Sequence, residues 1–374
     1  MVVAWRGGAA SSAHTAVLVW LGVVLPAYPG NLRAVQDQQE RELVLTEAWR
    51  VHGATLHDGL TSVAGLAEAE PGAIWVSDMA AGRGRVLRFD QSQETDVRVV
   101  AGYGEGPGEV WGPGRMGVAT DGSVAVYDIG RGGVEVYAPS GEPLRRVRFP
   151  VRVTWVKGFD VLPAGGFVIS GSVPGIDAAI HYFGREGRLL RSWGHQAPAD
   201  NWRAGLIATG GAVSGIPDGS VLYSQGAPHW IARYEIPSGG AGDDDLREHP
   251  VAALEGLLDA PGDAVIVETV EDGVPIRSFD VSYPQSRAVW MVEGGLVLNI
   301  VVLKDDGESI WQLFDQSEGP AEGDTRLVAE TRVSEPYSPW FRCQNGDILA
   351  SLTDPETDVP IIVRLELAIQ PLQQ

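Results

Sequence analysis

Residues Gly104–Arg148 read GEGPGEVWGPGRMGVATDGSVAVYDIGRGGVEVYAPSGEPLRRVR, and this stretch decides the fold. It contains four short runs of mainly apolar residues, separated by turns rich in glycine, proline and aspartate. Asp121-Gly122 supplies the positive φ angle that a tight hairpin turn requires. Ser123–Tyr127 alternates small and large residues with the period of two that is typical of a strand. The last run, Leu144–Phe149, is rich in arginine, as exposed outer strands often are. The stretch therefore predicts one small sheet of four antiparallel strands.

The same pattern recurs along the chain. A turn followed by an apolar strand occurs six times, at intervals of about 50 residues, with about 25 extra residues between the fourth and fifth units. A four-stranded sheet of this size cannot bury both of its faces alone, but copies stacked around an axis can. We therefore predict an all-β fold, a six-bladed β-propeller of four-stranded antiparallel blades. The six turns are Pro71-Gly72, Asp121-Gly122, Gly165-Gly166, Asp218-Gly219, Gly294-Gly295 and Asn345-Gly346.

The two ends of the propeller differ from the repeating unit. Leu43–Val51 is a strand pattern that precedes the first unit, while the sixth unit ends with its third strand, Ile361–Leu367. We predict that the N-terminal strand pairs into the last blade and closes the ring. The propeller then covers residues 43–371, with an insertion at 253–280 between blades four and five. Turn residues at Glu271–Gly273 predict a hairpin inside this insertion, either a flap over the channel or a loop without function.

The N-terminal segment has the pattern of a secretion signal. Met1–Gly30 carries Arg6 near its start and the apolar run Ala16–Leu25, which is short for a bilayer span. We expect a signal peptide at 1–30 and a short linker at 31–42, with an uncleaved anchor as the alternative. The chain is then an exported bacterial protein, periplasmic or extracellular, with no stable membrane span after cleavage.

Composition excludes several classes of function. A chain of 374 residues with 44% hydrophobic content can bury a large core. Its formal net charge of −21 argues against a nucleic-acid partner, because such proteins need basic patches. Cys343 is the single cysteine, so no intramolecular disulfide can form.

One family resemblance rests on the second unit. GYGEGPGEVWGP (Gly102–Pro113), followed by VAVYD and VEVYAPSGE, resembles the NHL-type repeat. The first unit resembles it through IWVSD (Ile74–Asp78) and VLRFD (Val86–Asp90). The resemblance implies a six-bladed propeller of the kind common among exported bacterial proteins. Such propellers serve as lyases, lactonases and binding scaffolds, so the resemblance does not select one function.

Polar and aromatic residues are expected at one mouth of the central channel. The turns between second and third strands share a face of the propeller with the links between blades. Mixed carboxylate, basic and aromatic groups at this mouth would hold a polar ligand, although each also has a local role as a turn cap or ion-pair partner. The candidate ligand-binding residues are Asp78, Arg115, Asp128, Trp155, Lys157, Tyr283, Asn299 and Trp340.

Two functions remain open from the sequence. The first is a non-catalytic binding or scaffold module for a small molecule, a glycan or a protein, which needs no cofactor. The alternative is a lactonase or lyase that depends on calcium or another divalent metal, as the lactonase-like propellers do. Its ligands would be Asp78, Asp128 and Asn299. The histidines lack the spacing of a zinc site, so zinc is not expected.

Overall fold

The computed structural model describes residues 41–56, 58–80, 83–194, 209–225, 229–236, 247–253, 265–271, 274–280, 285–303, 308–316 and 326–372. The expected signal peptide at 1–30 and residues 31–40 of the expected linker lie outside this range. Among the described residues, no helix combines the length and apolar character that a membrane span requires.

The chain forms an all-β six-bladed propeller, which confirms the predicted fold class. Each blade is a four-stranded antiparallel sheet, and one further hairpin lies between blades four and five in sequence. The strands are β1 (Arg41–His52), β2 (Val63–Glu70), β3 (Ala73–Ala80), β4 (Arg83–Asp90), β5 (Gln93–Ala101), β6 (Pro113–Val118), β7 (Val124–Asp128), β8 (Gly133–Tyr137), β9 (Pro143–Arg148), β10 (Thr154–Val161), β11 (Phe167–Ser172), β12 (Ile180–Phe183), β13 (Leu189–Trp193), β14 (Ala212–Gly215), β15 (Val221–Gln225), β16 (Trp230–Glu235), β17 (Arg247–Ala253), β18 (Val265–Glu271), β19 (Val274–Asp280), β20 (Gln285–Met291), β21 (Leu296–Val302), β22 (Ser309–Asp315), β23 (Arg326–Val333), β24 (Ser338–Arg342), β25 (Ile348–Thr353) and β26 (Pro360–Pro371).

Blades one to five use consecutive strands, whereas blade six combines both ends of the described chain. Its order is β24-β25-β26-β1, so the N-terminal strand is its outer strand. β1 and β26 are antiparallel, with Leu43 opposite Ile369 and Val51 opposite Ile362. The inner strands β2, β6, β10, β14, β20 and β24 each contact the inner strands of the neighbouring blades.

The turn between the first and second strands of each blade explains why the sequence pattern was readable. All six turns contain a glycine with a positive φ, between 73° at Gly294 and 94° at Gly346. Side chains disfavour this region, so glycine marks each turn in the sequence. The blade count follows from these local signals.

Aromatic side chains fill the spaces between blades. Between blades two and three, Tyr127 and Phe159 lie 6.1 Å apart, and Phe149 stacks on Phe183 at 4.0 Å between ring centroids. Trp75 of blade one contacts Tyr137 of blade two, and both are fully buried. Burial of one such side chain stabilises the fold by about 1.5–3 kcal/mol. The blades are therefore held to one another by apolar contacts as well as by the chain.

The insertion contains the hairpin that its turn residues predict. β18 and β19 pair along their whole length, from Val265 opposite Asp280 to Glu271 opposite Val274. They form a separate two-stranded sheet. A flap function for this hairpin stays a prediction.

Candidate functional site

The antiparallel order of each blade fixes which parts of the chain share a face. Inner strands begin where the links between blades end, and the turns between second and third strands return to the same end. We call this end the upper face. It is the face on which the sequence placed its candidate residues.

A small cavity lies on the propeller axis, near the upper ends of the inner strands. All six inner strands line it, and its volume is about 30 Å³. That volume holds about one water molecule, so the cavity admits an atom group and not a whole organic ligand. Its side chains and backbone come from Gly65, Leu66, Arg115, Met116, Lys157, Gly158, Phe159, Ala212, Val213, Arg287, Ala288, Val289, Trp290 and Trp340.

Three cationic side chains converge on this cavity, and we call Arg115, Lys157 and Arg287 the basic cluster. They come from blades two, three and five. All three are half-buried, so they lie deep in the channel but still reach solvent. No acidic side chain belongs to the described lining. In a chain of net charge −21, the basic cluster is a local region of opposite sign.

The pKa values of Lys157 and Arg115 are both lowered in this environment. Burial, followed by repulsion from Arg287, lowers the pKa of Lys157 to about 7. The same two causes, in the same order, lower the pKa of Arg115 to about 9. Each shift has the direction that desolvation and like charge give to a base. An anionic group in the cavity would shift both pKa values in the opposite direction, because it favours the charged form of each base.

An aromatic ring orients one member of the cluster. The Arg115 guanidinium lies 4.5 Å from the ring centroid of Trp340, within the range of a cation–π interaction. The indole N–H of Trp340 donates a hydrogen bond of 2.8 Å to the hydroxyl of Ser351. This chain of contacts fixes the ring, and the ring positions the guanidinium.

Glycine backbone keeps the inner strands close around the cavity. A Cβ on Gly158 would lie 2.7 Å from both the carbonyl oxygen of Gly211 and the amide nitrogen of Val213. A Cβ on Gly65 would lie 2.6 Å from the carbonyl oxygen of Gly114. These contacts are too short for any side chain, which explains why the cavity is narrow.

Asp78 and Asp128, which the sequence analysis named as candidate metal ligands, both accept hydrogen bonds from groups of their own blades. Asp78 Oδ1 accepts hydrogen bonds of 2.9 Å from the backbone N–H groups of Thr61 and Ser62, and its Oδ2 accepts one of 3.0 Å from Arg85. Both acceptor atoms of this buried carboxylate are therefore occupied.

Asp128 repeats this arrangement in blade two. Its oxygens accept hydrogen bonds of 3.0 Å from the N–H groups of Trp111 and Gly112, and Arg131 lies 3.4 Å from Oδ2. Each aspartate thus ties the link that enters its own blade to the end of the second strand. Neither lines the axial cavity.

Asn299 belongs to a different position and a different network. It lies in the middle of β21, whereas Asp128 is the last residue of β7. Its Oδ1 accepts a hydrogen bond of 2.6 Å from the Ser224 hydroxyl. Its Nδ2 donates a hydrogen bond of 3.1 Å to the side-chain oxygen of Gln312 and lies 3.0 Å from His229 Nε2. These contacts join blades four and five. The three residues expected to form a metal site are therefore engaged separately in structural contacts.

The remaining candidates divide as follows. Arg115, Lys157 and Trp340 line the axial cavity, and their role in binding a ligand stays a prediction. Trp155 is 49% exposed with a φ of 54°, near the start of the inner strand of blade three, but it does not line the cavity. Tyr283 lies outside the described residues.

Arg287 is a site residue that the sequence analysis missed, and so is Trp290. Arg287 is the third residue of β20, and Arg115 is the third residue of β6. This shared position was a usable signal. It was missed because the insertion obscured where the inner strand of blade five begins.

No metal centre is evident among the described residues, since none of them form a group of three histidine, cysteine, aspartate or glutamate side chains. His181 is buried and hydrogen-bonds Ser192, and burial lowers its pKa to about 4. Cys343 is a buried free thiol.

A larger cavity of about 430 Å³ lies at the upper rim of blade two. Its main charged side chains pair with one another and donate hydrogen bonds to backbone carbonyl groups of the loop at residues 104–109 of the same chain. Arg131 donates to the carbonyl oxygen of Gly104 and Arg146 to that of Gly106, while Arg146 also pairs with the buried carboxylate of Glu135. The GEGPGE motif is thus held as a structural loop, and the cavity beside it is less suited to a charged ligand than the axial site.

Comparisons with known proteins agree on the architecture. No family model matches the chain, and no curated protein matches its sequence. An exported-type protein of Bacteroides fragilis has a similar structure, with a TM-score of 0.53 and 11% identity over 87% of this chain and 95% of the other. At this identity the likeness shows the fold alone.

Two further structures are similar at lower scores. Virginiamycin B lyase from Staphylococcus aureus has a TM-score of 0.47 and 12% identity over 87% of this chain and all of its own. A gluconolactonase-type protein has a TM-score of 0.47 and 12% identity, with 88% of this chain and all of the other covered. The NHL repeat is not confirmed by a family match.

Proposed function

We propose that this protein is a non-catalytic binding module that takes an anionic group of its ligand at the central channel mouth. The observation that carries the proposal is the convergence of Arg115, Lys157 and Arg287 on one cavity. Like charges held together in a partly desolvated channel are unfavourable, and a bound carboxylate, sulfate or phosphate would offset that cost.

The size of the cavity bounds the mode of binding. A volume of about 30 Å³ takes only the anionic group, so the rest of the ligand would lie on the upper face. Exposed aromatic side chains on this face would contact it: Tyr103 and Trp111 on the link between blades one and two, and Trp155 near the start of β10. This arrangement suits an acidic sugar or an acidic side chain of a protein.

The metal-dependent lactonase or lyase is the weaker candidate. The oxygen atoms of Asp78 and Asp128 already accept hydrogen bonds from backbone N–H groups and arginine side chains. A metal would have to displace these donors.

We also propose export, with residues 1–30 as the signal peptide. The sequence pattern of Ala16–Leu25 supports it. Sequencing of the mature N-terminus from the source cell's envelope fraction tests it, and an intact Met1 in the cytoplasm would contradict it.

Binding of matched ligands tests the proposed function. Glucuronate and glucose differ in one carboxylate, so calorimetric titration with both isolates the anionic group. We expect binding of glucuronate and none of glucose. Arg115→Gln and Arg287→Gln should each weaken it about tenfold or more, because a hydrogen bond to a charged group contributes about 1.5–3 kcal/mol.

Arg152→Gln is the matched control. Arg152 is exposed on a link of the same face and donates to the carbonyl oxygen of Ile129, outside the cavity. It should leave affinity unchanged. If all three variants lose the same affinity for glucuronate, the effect comes from general surface charge and not from the cavity. If glucose binds as well as glucuronate, the carboxylate does not contribute to binding.

A further inference from the structure

Two exposed leucines occupy the same place in adjacent blades. The outer strand of blade two has a β-bulge directly after its first residue, Pro143, and Leu144 is the extra residue of that bulge. The outer strand of blade three has its bulge directly after its first residue, Leu189, and Leu190 is the extra residue there. Leu144 is 57% exposed and Leu190 is 43% exposed. Because a bulge re-aims the side chain that it carries, both leucines project from the rim of the propeller, one blade apart.

Blade geometry alone does not explain this exposure. The outer strands of blades four and five also have a bulge, and the extra residues there are Val251 and Val328. Both of these valines are buried. An exposed leucine forgoes the stabilisation that burial would provide. Exposed apolar groups that are surrounded by polar residues are typical of interaction surfaces.

Arginines surround the two leucines. β9 and β13 carry four arginines and no acidic residue, whereas the outer strand of every other blade contains at least one aspartate or glutamate. The turn before β13 adds two exposed arginines. Arg145 donates a hydrogen bond of 2.6 Å to the carbonyl oxygen of Arg185, so the two blades are in contact here. Since outer strands begin at the end opposite the upper face, we use the name lower patch for Leu144, Arg145, Arg148, Arg185, Arg188 and Leu190.

The lower patch is a local excess of positive charge. Its four arginines outnumber the three carboxylates nearby, and one of these carboxylates, Asp121, already accepts a hydrogen bond from the Ser123 hydroxyl. The other two are Glu142 and Glu186, in the turns before β9 and β13. The whole chain has a net charge of −21, so an anionic surface repels most of the protein and attracts this part of it.

We propose that the lower patch docks the protein on the surface of an anionic phospholipid membrane. The guanidinium groups bind lipid phosphates, because their planar fork of donors matches phosphate oxygens. The two leucines enter the boundary between headgroups and acyl chains. A bilayer accepts projecting leucines without a complementary pocket, whereas a folded partner has to supply one.

Docking of this kind fixes the orientation of the propeller. The lower patch and the upper face lie at opposite ends of the strands, so the axial cavity stays open to solvent when the patch is on the membrane. The surface is separate from the cavity of the proposed function and does not depend on what that cavity binds.

A dye at one position tests both contact and orientation. Leu144→Cys in the full chain is labelled with the environment-sensitive dye NBD, and the only native thiol, Cys343, is buried. Vesicles of phosphatidylcholine and phosphatidylglycerol in equal parts should raise the emission about twofold or more, because the dye leaves water for the headgroup region. Vesicles of phosphatidylcholine alone should not. The matched control is Tyr103→Cys, at a residue of the upper face that is 56% exposed, and its dye should respond to neither vesicle.

Titration of the mixed vesicles into the labelled protein measures what each side chain contributes. Leu190→Ser should weaken the apparent affinity about tenfold, because one apolar side chain no longer leaves water. Arg185→Gln and Arg188→Gln should each weaken it about fivefold, the contribution expected of one arginine at an anionic surface. Arg98→Gln is the control, since Arg98 is exposed on the outer strand of blade one beside Asp96, and it should have no effect.

Three results would overturn the proposal. The first is a dye at Leu144 that does not respond, or responds equally to phosphatidylcholine alone. The second is an equal response at Leu144 and Tyr103, since the membrane would then contact no preferred end of the propeller. The third is a response at Leu144 that rises with protein concentration in the absence of vesicles, which would assign the lower patch to a second copy of this chain instead of a membrane.

Discussion

The aspartates at the strand ends and the basic cluster lie on the same face, yet their charges are used in opposite ways. Asp78 and Asp128 are almost fully buried, and each is surrounded by backbone N–H groups and an arginine. Arg115 and Lys157 are half-buried, and the described lining around them holds no carboxylate. The two aspartates are thus paired with groups of their own blades, whereas side chains of one sign of charge line the axial cavity, which favours an anion there.

The largest difference should be seen in stability. Asp128→Ala removes a carboxylate that accepts from Trp111 and Gly112 and faces Arg131, so these buried donors lose their partner. Breaking a buried charge pair costs about 3–5 kcal/mol, and we expect a loss of that size in the free energy of unfolding, measured with denaturant.

Asp121→Ala is the matched control in the same blade. Asp121 accepts from Ser123 in an exposed turn, and its loss should cost about 1 kcal/mol or less. A loss at Asp128 no larger than this would mean that its carboxylate is not structural and would favour its predicted role as a metal ligand.

The second prediction concerns pH. Lys157 is protonated below about pH 7 and neutral above it, while Arg115, with a pKa of about 9, stays charged near neutrality. Affinity for glucuronate, which is ionised throughout, should therefore fall about tenfold between pH 6 and pH 8. Calorimetric titration at both values measures it. Lys157→Met should remove the dependence; a dependence that survives in this variant would assign it to another group.

The smallest effect should be the contribution of Lys157 to the free energy of unfolding. The pKa of Lys157 is lower in the folded protein than in the unfolded chain, so the unfolded state binds more protons between about pH 7 and pH 10.5. The lysine therefore destabilises the fold most below pH 7, and the penalty fades as pH rises through that window. Lys157→Met should be neutral or stabilise by about 1 kcal/mol at pH 6. A clear destabilisation at pH 6 would show that the amine serves the fold.

The contrast also explains what the sequence could reveal. The blades were predictable because each first turn needs a glycine with positive φ, which is a local requirement visible at Gly122, Gly219 and Gly346. The positions of Arg115 and Lys157 near the starts of inner strands followed from the blade count.

The role of the aspartates could not be read in the same way. Which N–H groups face Asp78 or Asp128 depends on how the link folds back onto its own blade, and sequence does not show this. Arg287 was missed because the insertion before β20 interrupts the regular spacing. The periodic part of the chain could thus be predicted from the sequence, whereas long-range contacts and irregular segments could not.

The pairing of β1 with β26 has a consequence for how this protein is made. Within the described sheets β1 pairs with β26 alone. Leu43 therefore cannot pair with Ile369 until nearly all of the chain has been synthesised. Until then, blades one to five can assemble next to one another, but the sixth sheet has an exposed edge that invites pairing with other chains. Contacts between such distant segments are slow to form. The final closure of blade six is therefore the step at which a chaperone would protect this protein.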